Sequence, residues 1–296
     1  MDDGSIDKSL EVARRYENHG IRLFAQPNEG AASARNHALR QARGEYIQYL
    51  DADDALHPQK IEVQLRELAG ESLETLASGV WGKFTTAADR NATVFLSHPV
   101  LPNREKTPKK YLSPAEWFVR SWSGGGSMQT GAWLTHRSLC EKAGAWNETL
   151  LQNPNDDGEY FCRVILASHR VKFCPDAKVY YRTFANAAVN RVSNPNGPVK
   201  VRSLYASLEL CSGYLLAAED SPGTRLAAAN LFQEFAYGLY PAYPDLVAQA
   251  ERRVEELGGS EMKFKYDPGA FKALASVVGW KAAKRLKHHL RRIFGK

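Results

Sequence analysis

EYIQYLDADDALHPQKI, residues 45–61, decides the fold. Glu45 to Leu50 reads as a strand that runs straight into Asp51, Asp53 and Asp54, and Pro58 opens a helix carried to about Ala69. Working upstream, Ala31 to Ala42 reads as a helix closed by Gly44, Ile21 to Gln26 as a strand, and Ser5 to Asn18 as a helix ended by His19 and Gly20. Strand, helix and strand in alternation make a βαβ unit, with three acids at its exit, and predict an α/β fold with a mostly parallel sheet covered by helices.

Downstream, Ser78 to Phe84 reads as a strand and Ala88 to Lys110 as a long polar loop or a ragged hairpin. Ser113, Pro114 and Glu116 have the serine, early proline and third-position glutamate of a capped helix, which Gly124, Gly125 and Gly126 then break. Gln129 to Thr135 reads as a strand, Arg137 to Ala143 and Asp157 to Ser168 as helices, and Val171 to Cys174 and Lys178 to Tyr181 as two short strands. Beyond Pro198 the periodicity is helical, with breaks at Ser221-Pro222, Tyr240 to Pro244, Gly258-Gly259 and Asp267 to Gly269. The boundary at 198 predicts a domain over 1–198 and a helical region over 199–296.

The 296 residues are 44% apolar, enough for a sizeable α/β core and an accessory region. No apolar run is long enough to span a membrane, and the N-terminus lacks the basic and apolar segments of a signal peptide. Cys140, Cys162, Cys174 and Cys211 are widely spaced and sit among apolar residues, which reads as reduced thiols and a cytoplasmic protein. The net charge of +6 is local: Trp280 to Lys296 holds seven basic residues and no acid, leaving the remainder near neutral and giving no case for nucleic acid.

Three carboxylates within four residues at the carboxyl end of a strand occupy the edge at which open α/β sheets bind ligands. Crowded acids repel, and a hard divalent cation shared with a substrate diphosphate would relieve them. A solvated turn whose last aspartate caps the next helix is the alternative, and the residues alone leave both open. The same holds at Asp2-Asp3-Gly4-Ser5, where Ser5 or Asp7 could simply cap a helix. It holds at Arg35, early in a helix after Asn28-Glu29-Gly30, able to meet an anion or point to water. It holds again at Asn155-Asp156-Asp157-Gly158-Glu159, where a general base or a capping box of Asp156 with Glu159 fits the spacing.

In order, DDGS (2–5), NEGAASARNHAL (28–39), ARGEYIQYLDADDALHPQKI (42–61) and NDDGEYFCRV (155–164) resemble the motif series of the family 2 glycosyltransferases. The resemblance covers about residues 2–182 and implies the GT-A fold. It implies a metal-dependent, inverting transfer of a sugar from a nucleoside-diphosphate sugar to a hydroxyl acceptor, in glycan or cell-surface polysaccharide synthesis. It assigns Asp2, Asp3, Arg35 and Asp51 to the nucleotide, Asp53 to a Mn²⁺ or Mg²⁺ ion with Asp54 in support, and Asp157 to the catalytic base. Beside these, Arg182 at the end of the Tyr180 to Arg182 strand and Arg191 in the polar loop beyond could help close over the diphosphate. The Q-x-x-R-W signature of membrane-bound processive synthases is absent from the sequence, which favours transfer of single sugars.

The family normally carries a strand, a helix and a second strand before DDGS, whereas here Met1 abuts Asp2. That predicts exposed sheet edges and poor solubility for the chain as written. It also raises a second reading, an inactive remnant serving as a membrane-associated binding or scaffold protein. Trp117, Trp122 and Trp133 suit either core packing or stacking on an acceptor sugar, and His136 and His169 read as surface or capping residues. The stripe of Trp280, Leu286, Leu290, Ile293 and Phe294 beside a basic face suits either a helix docked on the body or peripheral contact with an anionic membrane through residues 280–296.

Overall fold

The computed structural model describes residues 1–86, 93–96, 108–126, 128–183, 197–262 and 270–294. Arg191, the break at 267–269 and most of the loop over 88–110 lie outside them.

The chain is α/β, as expected, but its sheets are mixed. In the first sheet β1 (Asp2–Asp3) pairs in parallel with β2 (Ala25–Gln26), and between them lies α1 (Ser9–Arg14). Helix α2 (Ala31–Gln41) follows, starting at Gly30 with φ 94°, a conformation glycine adopts without penalty. In the second sheet β3 (Tyr46–Ile47) runs antiparallel to β8 (Thr135–His136). The third sheet centres on β5 (Thr75–Phe84) and β9 (Arg170–Arg182), paired in parallel. To these β4 (Ala55–Leu56), β6 (Phe95–Leu96) and β7 (Tyr111–Leu112) add antiparallel edges.

Several elements differ from the sequence reading. The strands over 21–26 and 45–50 shrink to two paired residues each, because alternation makes a segment competent for a sheet but only a partner supplies the ladder. The two short strands over 171–181 are one strand, and β5 starts three residues early to match it. Its bulge falls between Ser78 and Val80, where a Cβ on Gly79 would lie 2.3 Å from the Ala177 carbonyl oxygen. Gln129 to Thr135 is a 3₁₀ turn, Thr130–Ala132, before β8. The helix expected over 5–18 begins only at Ser9, since the Asp2 and Asp7 carboxylates accept backbone N–H groups from Ser5 and Ser9 and hold the chain in turns.

Other local signals hold. Helix α3 (Lys60–Leu68) follows Pro58, and α4 (Pro114–Arg120) begins where the Ser113 hydroxyl accepts the Glu116 N–H. His136 caps α5 (Arg137–Ala143) through its ring. Helix α6 (Asp156–Ala167) packs on α7 (Pro198–Ala218), which is followed by α8 (Pro222–Leu239) and α9 (Pro244–Glu256). A capping box at Ser221 and Thr224 opens α8. Helices α10 (Ala270–Val278) and α11 (Trp280–Phe294) end the chain.

The main core is aromatic: Trp117, Trp133, Trp146, Tyr160 and Phe161 lie buried with Leu76 and Val179 of the sheet, and α7 adds Cys211 and Leu215. All four cysteines are buried and free. Among the described residues no helix is long and apolar enough to cross a membrane.

Candidate functional site

Arg35 is the hub. It leaves the second turn of α2, and its guanidinium donates 2.9 Å to Asp51 at the end of the β3 segment and 2.6 Å to Asp156 at the start of α6. Two acid motifs more than 100 residues apart are thereby tied by one cation, in the fork geometry that suits guanidinium to carboxylates. Burial alone would discourage the Arg35 charge, but Asp156 and Asp51 outweigh it and raise its pKa. Its flat face lies 4.4 Å over Trp146, which in turn stacks on Tyr160 at 4.1 Å. Asn36, one residue on and buried, fixes that backing: its amide donates to the Trp146 carbonyl and its oxygen accepts the Trp146 N–H.

Asp157 follows Asp156 and is half-buried. It accepts from Thr130 Oγ1 at 3.1 Å and from the Gly158 N–H at 2.8 Å. Burial raises its pKa and the neighbouring Asp156 charge adds to this, against the opposing effect of those two donors and Arg35. Asp156 accepts the Asp157 N–H, while Glu159 turns away to pair with Arg163. The capping box that the spacing allowed therefore does not form. Asn155 instead spans to α7 through Ser207 at 2.8 Å, and a Cβ on Gly158 would lie 2.0 Å from its side-chain oxygen.

The Thr130 turn is itself held from below. Gln48 donates to the Gly131 carbonyl, Gln64 to the Ala132 carbonyl, and Lys60 to Gln48 and to the Trp133 carbonyl. Lys60 is fully buried and its pKa is pushed down to about 7 by that burial. Arg35, Asp51, Asp156, Asp157, Thr130 and Tyr181 line a polar cavity of about 380 Å³, within the range of small-ligand sites.

The remaining acids divide. Asp53 is exposed, and its carboxylate accepts no hydrogen bond among the described residues. Asp54 accepts the Arg182 N–H at 2.9 Å, and burial, with Asp53 and Asp51 nearby, pushes its pKa to about 6. It does not cap α3, whose N-cap is Gln59 without a side-chain bond. The Arg182 side chain rests on the same turn, donating 2.8 Å to the Asp53 carbonyl. Asp3 accepts the N–H groups of Glu29 and Gly30 and so sets the entry of α2. Asp2 accepts from Ser5. Gly4 (φ 72°) lets the two loops touch, since a Cβ there would lie 2.7 Å from the Asn28 nitrogen.

Of the residues expected to act together, the structure joins Arg35, Asp51 and Asp157 in one cavity, places Asp53 in the same turn as Asp51, and puts Asp2 and Asp3 at the foot of α2. Sequence reasoning missed Trp146, Thr130 and the Lys60 support. Lys60 and Gln64, one turn apart on the helix face that also carries Val63 and Leu68, were the available signal for the last.

Residues 1–125 match the sequence family described as Glycosyl transferase family 2. The chain is similar to the cholesterol galactosyltransferase of Borreliella burgdorferi, 36% identical over 80 residues, which is 26% of this chain and 22% of that protein. It is similar also to the chondroitin synthase of Pasteurella multocida, 45% identical over 67 residues, 22% of this chain and 7% of that one. The chain thus spans less than a quarter of the length of either relative. Among solved structures, S. aureus TarS 1-349 in complex with UDP-GlcNAc superposes with a TM-score of 0.58 at 15% identity, covering 86% of this chain and 71% of that one. That likeness is one of fold, the GT-A fold.

Proposed function

We propose that this chain, whose first 125 residues are a family 2 glycosyltransferase segment of the GT-A fold, moves a single sugar from a nucleoside-diphosphate sugar to an acceptor hydroxyl with inversion. The observation that carries the reading is the convergence of Arg35, Asp51, Asp156 and Asp157 on one polar cavity. In one displacement the acceptor oxygen forms a bond to the anomeric carbon and its proton passes to Asp157. The bond from that carbon to the diphosphate breaks, and the nucleoside diphosphate leaves with the electron pair. A base held partly out of water, with a raised pKa, suits that proton transfer. Asp2, Asp3, Arg35 and Asp51 are assigned to the nucleotide.

The family implies a Mn²⁺ or Mg²⁺ ion. Among the described residues no three acids, histidines or cysteines gather into a cage. A hard cation that keeps its waters and takes phosphate oxygens needs only one or two carboxylates, and the unpaired, exposed Asp53 fits that role with Asp51 beside it. Such an ion would offset the charge on the departing diphosphate. Arg182, resting on the same turn, is assigned to the diphosphate as well.

Donor hydrolysis and transfer, measured with Mn²⁺ or Mg²⁺, test the assignment. Asp157→Asn is expected to lose turnover while still binding nucleotide, and Asp53→Ala to lose the metal's contribution to donor binding. Full activity in either variant would overturn its assignment.

We also propose a cytoplasmic protein serving glycan or surface-polysaccharide synthesis, with peripheral membrane contact through residues 280–296. Support comes from α11, where Leu286 and Leu290 are 45% and 43% exposed on a helix without acids.

A further inference from the structure

A second cavity, of about 440 Å³, adjoins the polar one. The two share Met128, Asn155, Asp157 and Gly158, so Asp157 stands in the wall between them. Their chemistry differs. Trp117, Trp122, Trp133 and Phe161 line the second cavity, together with Leu208 of α7 and Leu231 of α8. The α7 and α8 wall comes from outside the residues matched to the family.

Its polar side chains are Ser121, Asn155, Asp157 and Glu234, against an apolar majority. Asn155 is committed to Ser207, and Asp157 already accepts from Thr130 and Gly158. The Ser121 hydroxyl donates to the Gly126 carbonyl at 2.7 Å, and Glu234 of α8 is exposed. A bare polyhydroxylated sugar filling this space would leave most of its hydroxyls unpaired, at a cost an apolar group does not incur. Asp157 can serve the reacting hydroxyl and Glu234 one more, while the aromatic and aliphatic walls serve none.

We infer that this cavity receives the acceptor, and that the acceptor carries an apolar group, aryl or alkyl, next to its reacting hydroxyl. The inference rests on Asp157 being the base of the proposed transfer. The C-terminal helices α7 and α8 then contribute to acceptor choice, together with Trp122 of the matched segment.

Calorimetric titration of the full chain with phenyl β-D-glucoside and methyl β-D-glucoside tests it, with UDP titrated in parallel. The phenyl compound is expected to bind about tenfold or more tightly than the methyl one. Trp122→Ala and Leu231→Gln, both at partly exposed positions, are expected to bring that ratio below about threefold while leaving UDP affinity unchanged. Equal affinity for the two glycosides, or a ratio that survives both substitutions, overturns the inference. Absence of UDP binding in all three proteins would instead overturn the glycosyl-transfer reading, and the phenyl-to-methyl ratio keeps the two failures apart.

Discussion

Arg35 lies flat against Trp146, its guanidinium carbon 4.4 Å from the ring centroid, and this stack sets where the cation between Asp51 and Asp156 can sit. Trp146→Ala removes the stack and a large buried side chain, and should cost about 3–5 kcal/mol in chemical denaturation. Trp146→Leu should fold with a smaller loss but raise the donor KM, because Arg35 loses its backing. An unchanged donor KM in the leucine variant would show that the stack does not position Arg35.

Arg35→Lys keeps the charge and loses the fork. A lysine ammonium cannot span Asp51 and Asp156 in the same geometry, so one carboxylate is left unpaired in a half-buried site. The expected effect is a fall of about tenfold or more in kcat/KM, or ~1.4 kcal/mol. Activity within about twofold of wild type would contradict the bridging role.

The pH profile should report Asp157. Its pKa is raised, first by burial and then by Asp156, so it takes up its proton at a pH above the ordinary aspartate range. As pH falls, the acid limb of kcat/KM should therefore begin above ~3.9, the value of a solvated aspartate. Thr130→Val removes a donor that favours the ionised form, and should move that limb to still higher pH while lowering kcat. A limb that stays put in the valine variant would dissociate Thr130 from the base.

Lys60 makes folding stability depend on pH. Burial holds its folded pKa near 7, well below the unfolded value, so between about pH 7 and ~10.4 the unfolded chain binds more protons than the folded one. Stability attributable to Lys60 should then rise with pH across that window, by up to ~1.4 kcal/mol per pH unit, and be flat below it. Urea unfolding at pH 6.5, 8 and 9.5 for wild type and Lys60→Met reads the difference, and parallel curves would refute it.

Leu286→Glu together with Leu290→Glu should abolish co-flotation with vesicles of anionic lipid while leaving flotation with neutral vesicles at its low level. Both side chains are already solvent-exposed, so the fold should survive. Equal recovery of wild type and the double variant would remove the membrane proposal.

Much of the candidate site was legible in the sequence because its motifs are local. Asp51 and Asp53 follow a strand, Asp157 opens a helix and Arg35 sits early in another, and each helix formed close to its expected bounds because its caps and breaks are nearby residues. Strands were read less well. The segments over 21–26 and 45–50 alternate correctly, yet pair over only two residues each, since partner and register belong to other parts of the chain. The stretch over 129–135 folds into a 3₁₀ turn because Gln48, Gln64 and Lys60 capture its carbonyls from distant elements.

The sequence by itself determined which residues are candidates for the chemistry and which local element each belongs to, because motifs, caps and periodicity act over a few residues. Only the tertiary structure decided how the acids divide: Asp51 and Asp156 to Arg35, Asp54 to the Arg182 backbone, Asp157 to the wall between two cavities. That division follows from burial and from polar and charged groups brought together across as many as 128 residues of chain. Both are properties of packing, which fixes the distance and the local dielectric on which every such interaction depends.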